Sequence, residues 1–380
     1  MLSANTYLIF SLPVLPLIMV HVSSFSTDNN SATASSSATS MSSSYRLRKF
    51  DVDKDMEAIL DICRDVYGGA DYLPKTAPTL ADDPNSSFVV LADMMTDRPA
   101  AVGNARRFKP NMSWLEAIRT CPDHRSRGLA RQLTASLIES SRNEHGDAVY
   151  SCTVQSNGPM RKVFERTNMK ELGQIHQCSF AELKKLSGWA ADESGDDGDV
   201  TSSMPPKPLL PALGVADEKI SDQAKQMQLT QISSEDQLNK ELALIKAKGG
   251  IGHLVGLYEL LPDEGIRKSL DANRVWKVST TTNPNDFALL ALVHEAKISS
   301  LKSPWVCSIS ATSMVVLEGA LWNACSGHCL IRIAGHVAFT VAFDVCGEPV
   351  DGQSGNRPAA VKALPLTDDA CLLFGSTDSL

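Results

Sequence analysis

The first 44 residues contain neither lysine nor arginine and only one acid, Asp28. Their single apolar run, Tyr7 to Val22, is broken by Pro13 and Pro16. A membrane-crossing helix needs about 20 apolar residues, so this stretch is too short and too interrupted to span a bilayer. A cleaved targeting segment is the expectation, with no stable membrane association after its removal. Dense basic runs are missing as well. With 36 Lys+Arg against 44 Asp+Glu and a net charge of −8, the chain is not built for broad nucleic-acid binding. Cysteine is sparse and odd in number: nine are scattered along a chain long enough to have an ample core. They do not read as a disulfide framework, and a reducing compartment is favoured. Cys325-Ser326-Gly327-His328-Cys329 gathers three potential ligands, yet no second pair is spaced to complete a tetrahedral site, so no metal is expected.

What is present centres on Trp114 to Leu133, W-L-E-A-I-R-T-C-P-D-H-R-S-R-G-L-A-R-Q-L. A short apolar run carrying Glu116 is stopped by Pro122, and Arg125-Ser126-Arg127-Gly128-Leu129-Ala130 leads into a helical pattern supported by Leu129, Leu133, Leu137 and Ile138. That is strand, tight loop, helix. The first N–H groups of a helix lack internal partners and the helix dipole adds positive potential, so such an end can hold a phosphate. Gly128 and Ala130 permit close approach to the backbone, and Arg125 and Arg127 add charge. The Lys-Ser/Thr ending of a P-loop and the three glycines of a dinucleotide fingerprint are both absent.

Around this loop the elements follow in a definite order. Tyr45 to Phe50 alternates as a strand, and a helix capped by Asp51 or Asp53 runs to about Tyr67 with Met56, Ile59, Leu60, Cys63 and Val66 on one face. A loop from Tyr67 to Pro74 follows, then a hairpin of Ser87–Met94 and Ala100–Phe108 around Asp97-Arg98-Pro99. After the central strand and helix come a strand at Ala148–Val154, a short helix at Met160–Thr167 and a strand at Glu171–Phe180. Arg-x-x-Gly-x-Ala after a strand ending in x-Pro resembles the acyl-coenzyme A pyrophosphate loop of the GCN5-related N-acetyltransferases (GNAT), and the order of elements matches that α/β fold. The resemblance implies acetyl-coenzyme A (acetyl-CoA) as cosubstrate, held by Arg125, Ser126, Arg127, Gly128, Leu129 and Ala130, by the backbone of Ile118 and Thr120, and by Asn157.

Acetyl transfer needs a neutral amine, while an α-amine has a pKa of about 7.7–8.0 and a lysine amine about 10.4. A base must take the proton, and Glu116 on the central strand is the candidate. Its alternative is a structural pairing with Arg106 or Arg107. In the family a tyrosine after Asn-x-x-Ala often protonates the leaving thiolate; Phe164 stands there, which removes the usual general acid. Tyr67-Gly68-Gly69-Ala70-Asp71-Tyr72-Leu73-Pro74 resembles a stretch of the vertebrate histidine N-acetyltransferases and related N-acetyltransferases. That resemblance makes Tyr67, Asp71 and Tyr72 candidate substrate contacts, free histidine or another amino acid the implied acceptor, and Arg119, Arg106 or Arg107 the partner of its carboxylate. A protein amine, or a non-catalytic acyl-CoA-binding role, are the rival readings.

Residues 186–214 hold an acidic run and Pro205-Pro206-Lys207-Pro208, so they read as a linker between an acetyltransferase domain at 45–185 and a further α/β region at 215–350, with a tail at 351–380. The second region repeats strands around helices without an Arg-x-x-Gly-x-Ala loop, and a degenerate GNAT-like half without cofactor is expected. Oligomeric state is left open. At the start, Ser24-Phe25 followed by a hydroxyl-rich, acid-poor tract resembles the bipartite plastid presequences of diatoms and related algae. A secretory route is the alternative, under which Asn29, Asn85 and Asn111 stand in glycosylation sequons.

Overall fold

The computed structural model describes residues 44–145, 148–179, 219–256, 260–294, 305–326, 339–346, 361–362 and 371–376. Residues 44–380 form one compact unit. The presequence, the linker and the Cys325–Cys329 group fall outside the described side chains.

The first half runs β1 (Tyr45–Lys49), α1 (Val52–Cys63), a 3-10 turn (Val66–Gly69), α2 (Leu73–Asp82), β2 (Ser86–Asp93), β3 (Pro99–Lys109), β4 (Met112–Thr120), α3 (Leu129–His145), β5 (Ala148–Val154), α4 (Gly158–Arg166) and β6 (Met169–Ser179). This is a mixed α/β GNAT fold, as the order of elements implied. Asp51 caps α1 by accepting from the Asp53 and Lys54 amides. The buried face of α1 is Ala58, Ile59, Ile62 and Cys63, whereas Leu60, expected there, is 56% exposed. Asp55 is buried on the same helix, and Arg48 grips both of its carboxylate oxygens at 2.6 and 2.8 Å.

The second half continues with α5 (Asp222–Lys225), β7 (Gln228–Gln231), α6 (Glu235–Ala247), α7 (Asp263–Asp271), β8 (Val275–Ser279), β9 (Phe287–His294), β10 (Trp305–Ala311), α8 (Met314–Ser326), β11 (Phe339–Val345) and β12 (Cys371–Ser376). Val255 and Leu260 form an isolated antiparallel bridge. All described strands join one sheet of order β1-β2-β3-β4-β5-β12-β6-β11-β10-β9-β8-β7. The order is itself a repeat. β1 to β4 pair antiparallel in succession and β4 pairs β5 parallel; β7 to β10 pair antiparallel in succession and β10 pairs β11 parallel.

At the middle the two sets interlock. β6, from the first half, pairs with β11 of the second, while β12 lies between β5 and β6, antiparallel to both. The segment expected as a tail thus supplies a central strand, because Cys371-Leu372-Leu373-Phe374 is apolar on both faces and every residue of β12 is buried. Leu372 and Phe374 join the core beneath α3 and α4 with Leu129, Leu133, Leu137 and Phe164. Cys371 and Leu373 join the core beneath α6 and α7, which also takes in Trp114 and Tyr150 of the first half.

Candidate active site

The site begins with an irregularity in β4. Ala117 has φ +58°, and the β3–β4 register slips between Val102 and Asn104, which is a bulge on β4. A non-glycine residue in this region is strained, and such strain persists where surrounding structure enforces it. Past the bulge, β4 leaves β5: the parallel pairing covers only Met112–Leu115 against Ala148–Ser151, and Ser151 Oγ donates to the Leu115 carbonyl at 2.9 Å where the strands part. Cys121 N–H donates to Ala100 O on β3. By strand alternation the Thr120 amide therefore points the other way, into the gap left by β5.

The loop that closes this gap is Cys121–Gly128. Pro122–His124 form a 3-10 turn, and Ser126 and Gly128 take positive φ of +62° and +78°. Leu129, 2% exposed, anchors the first turn of α3 in the core, while Arg125, Ser126, Arg127 and Gly128 are exposed and Ala130 is half-buried. No acid lies in the first turn of α3 to compete for its amides. A Cβ built on Gly128 meets nothing within 4 Å, so this backbone faces open space. Arg127 is pre-positioned: it donates to Tyr45 Oη at 3.1 Å and to the Asp123 carbonyl at 3.2 Å, and Tyr45 in turn bonds His124 Nδ1 at 2.9 Å. From Gly128 a cleft of about 770 Å³ runs along α3 between Arg127, Arg131, Arg142 and Arg166, with Glu139 as its one acid.

Across the gap, Asn157 caps α4 through its Oδ1 to the Met160 amide and donates from Nδ2 to Thr153 Oγ1 at 3.0 Å. Phe164 is 1% exposed and packs on Phe374 with ring centroids 4.9 Å apart. It is a core residue with no face toward the gap.

Glu116 lies just before the bulge. Its Oε1 accepts from Asn104 Nδ2 at 2.9 Å and from Arg106 Nε at 3.2 Å, and both members of the ion pair stay about a fifth exposed. Arg106 also stands 5.2 Å from the Phe108 ring. The pairing with Arg106 and an accessible carboxylate therefore coexist.

Beside Glu116 stands the Tyr67–Pro74 stretch. Only part of it is loop, since α2 begins at Leu73: Pro74 stands in the first turn, where its missing N–H costs no hydrogen bond, while Pro78 lies inside the helix and removes one donor. Asp71 accepts from the Leu73 amide at 3.1 Å and from Arg119 at 2.8 and 3.3 Å, with its side chain 1% exposed. Burial alone raises the Asp71 carboxyl, but the Arg119 hydrogen bonds and charge outweigh it and hold it below the ordinary range. Burial and the Asp71 charge push the neighbouring Cys63 thiol up to about 12. The Arg119 guanidinium also lies 5.5 Å from the Tyr67 ring and 5.7 Å from the Tyr72 ring, and donates to Ile118 O at 3.1 Å. Tyr67 itself has φ +52° and is 70% exposed; Tyr72 is 40% exposed, and burial of its hydroxyl pushes it up to about 12. So the structure brings Glu116, Asp71, Arg119, Tyr67 and Tyr72 together, but Arg119 is committed to Asp71. The bulge at Ala117 and the role of Asn104 carried no signal in the sequence.

Among the described residues no three His, Cys, Asp or Glu side chains are grouped to hold a metal. No described helix is long and apolar enough to cross a membrane.

The corresponding place in the second half is shut. β10 and β11 pair over all seven residues, from Trp305 opposite Phe339 to Ala311 opposite Val345, and β9–β10 has no register slip. Only Thr312 and Ser313 connect β10 to α8, and both hydroxyls donate to Asp286, at 2.5 and 3.1 Å. A carboxylate of the chain itself sits at that helix start.

Residues 55–169 match the model of the Acetyltransferase (GNAT) family. Solved structures similar to this chain include a mutant of spermidine N-acetyltransferase SpeG from Vibrio cholerae, 16% identical over 35% of this chain and 84% of that one, with a TM-score of 0.31. The ribosomal-protein-S18-alanine N-acetyltransferase from Escherichia coli is 18% identical over 34% and 80%, with a TM-score of 0.31. Arabidopsis thaliana NAA60 in complex with a bisubstrate analogue is 14% identical over 35% and 87%, with a TM-score of 0.30. No curated protein matches the chain. A family match that falls on the half with the splayed strands and the open loop shows that this chain carries an acetyltransferase domain of the GNAT family.

Proposed function

We propose that the protein moves an acetyl group from acetyl-CoA to the amine of a small molecule, a free amino acid of the histidine type, by direct attack. The observation that carries this reading is the parting of β4 from β5 after Leu115 and Ser151, with Glu116 at one side and the exposed Gly128 backbone at the other. These residues fit acyl-CoA. Ile118 and Thr120 would pair with its amide arm, the first turn of α3 with Arg125 and Arg127 would take its pyrophosphate, and the arginine-lined cleft suits its remaining phosphate. When bound, acetyl-CoA supplies an activated acyl carbon with a thiolate leaving group.

The chain's own residues do the rest. Glu116 accepts the amine proton directly or through water, while Asn104 and Arg106 hold its carboxylate in place. Backbone N–H groups of the splayed strand stabilise the charge that develops on the carbonyl oxygen. With Phe164 buried, the departing thiolate draws its proton from solvent. Arg119 is tied to Asp71 in a buried pair, whereas Arg106, although paired with Glu116, stays about a fifth exposed and is the candidate for the acceptor's carboxylate. Loss of turnover in Glu116→Gln with unchanged coenzyme A affinity supports this scheme; equal turnover across pH refutes the base.

One observation favours a second reading. Tyr67 is 70% and Tyr72 40% exposed, and exposed rings suit a protein amine. Comparing free amino acids with lysine and N-terminal peptides decides between them. The repeat of strand order is best read as a degenerate GNAT-like half without cofactor, and residues 1–44 as a bipartite plastid presequence. Secretion of a reporter fused to 1–44 would replace the plastid assignment.

A further inference from the structure

We infer that β12, the last described strand, is the positioning element of the cofactor slot, lent by the half whose corresponding strands β10 and β11 stay zipped. The inference rests on the acyl-CoA reading of the β4–β5 gap. Once β4 turns away, Cys152, Thr153 and Val154 of β5 have lost their parallel neighbour. Their ladder partners are then Leu373, Leu372 and Cys371 of β12. A strand segment with one edge opened to a ligand keeps its course only through the other edge. β12 is that edge.

The same strand controls what lies behind the gap. Phe374 packs on Phe164 of α4, and Leu372 shares a core with Leu129 and Leu133 of α3, the helix whose start faces the phosphate site. Ser376 Oγ accepts from the Val149 amide at 3.3 Å at the base of β5. On the opposite edge β12 is held by β6, with a register slip between Leu373 and Phe374, and β6 is held by β11 of the second half. The second half thereby takes β6 and returns β12. With β10 and β11 zipped along their length and Asp286 at the start of α8, its described residues offer no slot of their own at that place. Its contribution to chemistry is to fix β5.

Hydrogen exchange on the full chain, with and without coenzyme A as the probe, tests this. Coenzyme A should slow exchange in residues 118–130 and, together with them, in 152–154 and 371–376. Protection of 118–130 with 371–376 unchanged would overturn the inference and leave the cofactor reading standing. Protection in neither segment would overturn both. As a second measurement, Leu372→Pro removes a ladder donor from a central strand. At least a ten-fold loss of coenzyme A affinity is expected, with the acceptor KM moving less and Leu372→Ile behaving as the parent. Parent-like affinity in Leu372→Pro would refute the role of β12. If that variant does not fold, the exchange pattern of the parent decides.

Discussion

Arg119 Nε and Nη2 clasp the two carboxylate oxygens of Asp71 at 2.8 and 3.3 Å, tying β4 to the start of α2 beside Glu116. Removing one member of a buried pair leaves the other uncompensated, at a cost of about 3–5 kcal/mol. Asp71→Asn is therefore expected to lower unfolding stability by an amount of that order in urea titration. It should also raise the acceptor KM more than the coenzyme A Kd, because Tyr67 and Tyr72 lean on the same guanidinium. A stability loss under about 1 kcal/mol, the scale of a surface pair, would show that the clasp is not structural.

Glu116→Gln retains an acceptor for Asn104 but cannot take a proton. General-base catalysis contributes about 10²–10⁴-fold, so turnover should fall by about that factor while coenzyme A affinity changes less than about two-fold. Parent-like turnover with a flat pH profile would leave Glu116 only its bond to Arg106.

Gly128→Ala places a methyl group in the open space before the loop at φ +78°. The left-handed backbone costs about 1–2 kcal/mol in stability, a loss that thermal melting can read. Coenzyme A affinity should fall by more than about ten-fold. Calorimetry on the parent should find one coenzyme A per chain, since the second half is closed; two equivalent sites would contradict that closure.

Asp344 is buried on β11, accepting from the Ile251 amide, and burial pushes its carboxyl up to about 6. A carboxyl raised in the folded state favours folding below its unfolded pKa, and the benefit is lost as pH rises through about 6. Asp344→Asn, which resembles the protonated form, should gain on the parent by on the order of 2–3 kcal/mol between pH 4 and pH 8. Denaturant titrations at the two pH values check this; a pH-independent difference would mean that the group titrates normally.

Periodicity and punctuation carried most of the fold in the sequence. The strand, loop and helix around Gly128 were legible because Pro122, Gly128 and the spacing of Leu129, Leu133 and Leu137 are local signals. α2 was not, since Pro74 in its first turn and Pro78 in its interior mask the helix. The spacing of Leu60 fits the inner face, yet the structure exposes it and buries Asp55 against Arg48, a pairing with no local signal. The bulge at Ala117 shows only in the β3–β4 register and leaves no mark in W-L-E-A-I-R-T. Likewise, nothing local tells that Cys371–Ser376 returns to the centre of the sheet, because its partners lie some 200 residues away. At the site, residue types were legible and commitments were not. Arg119 is held by Asp71 from 48 residues away, which no local pattern announces.

The most direct test of the acetyltransferase reading is acetyl-CoA consumption by the chain from Tyr45 onward against free amino acids, polyamines and lysine peptides. Selective turnover with histidine or a close analogue is expected, abolished by Glu116→Gln. Tight coenzyme A binding without turnover on any amine would contradict it and make the splayed slot a binding module.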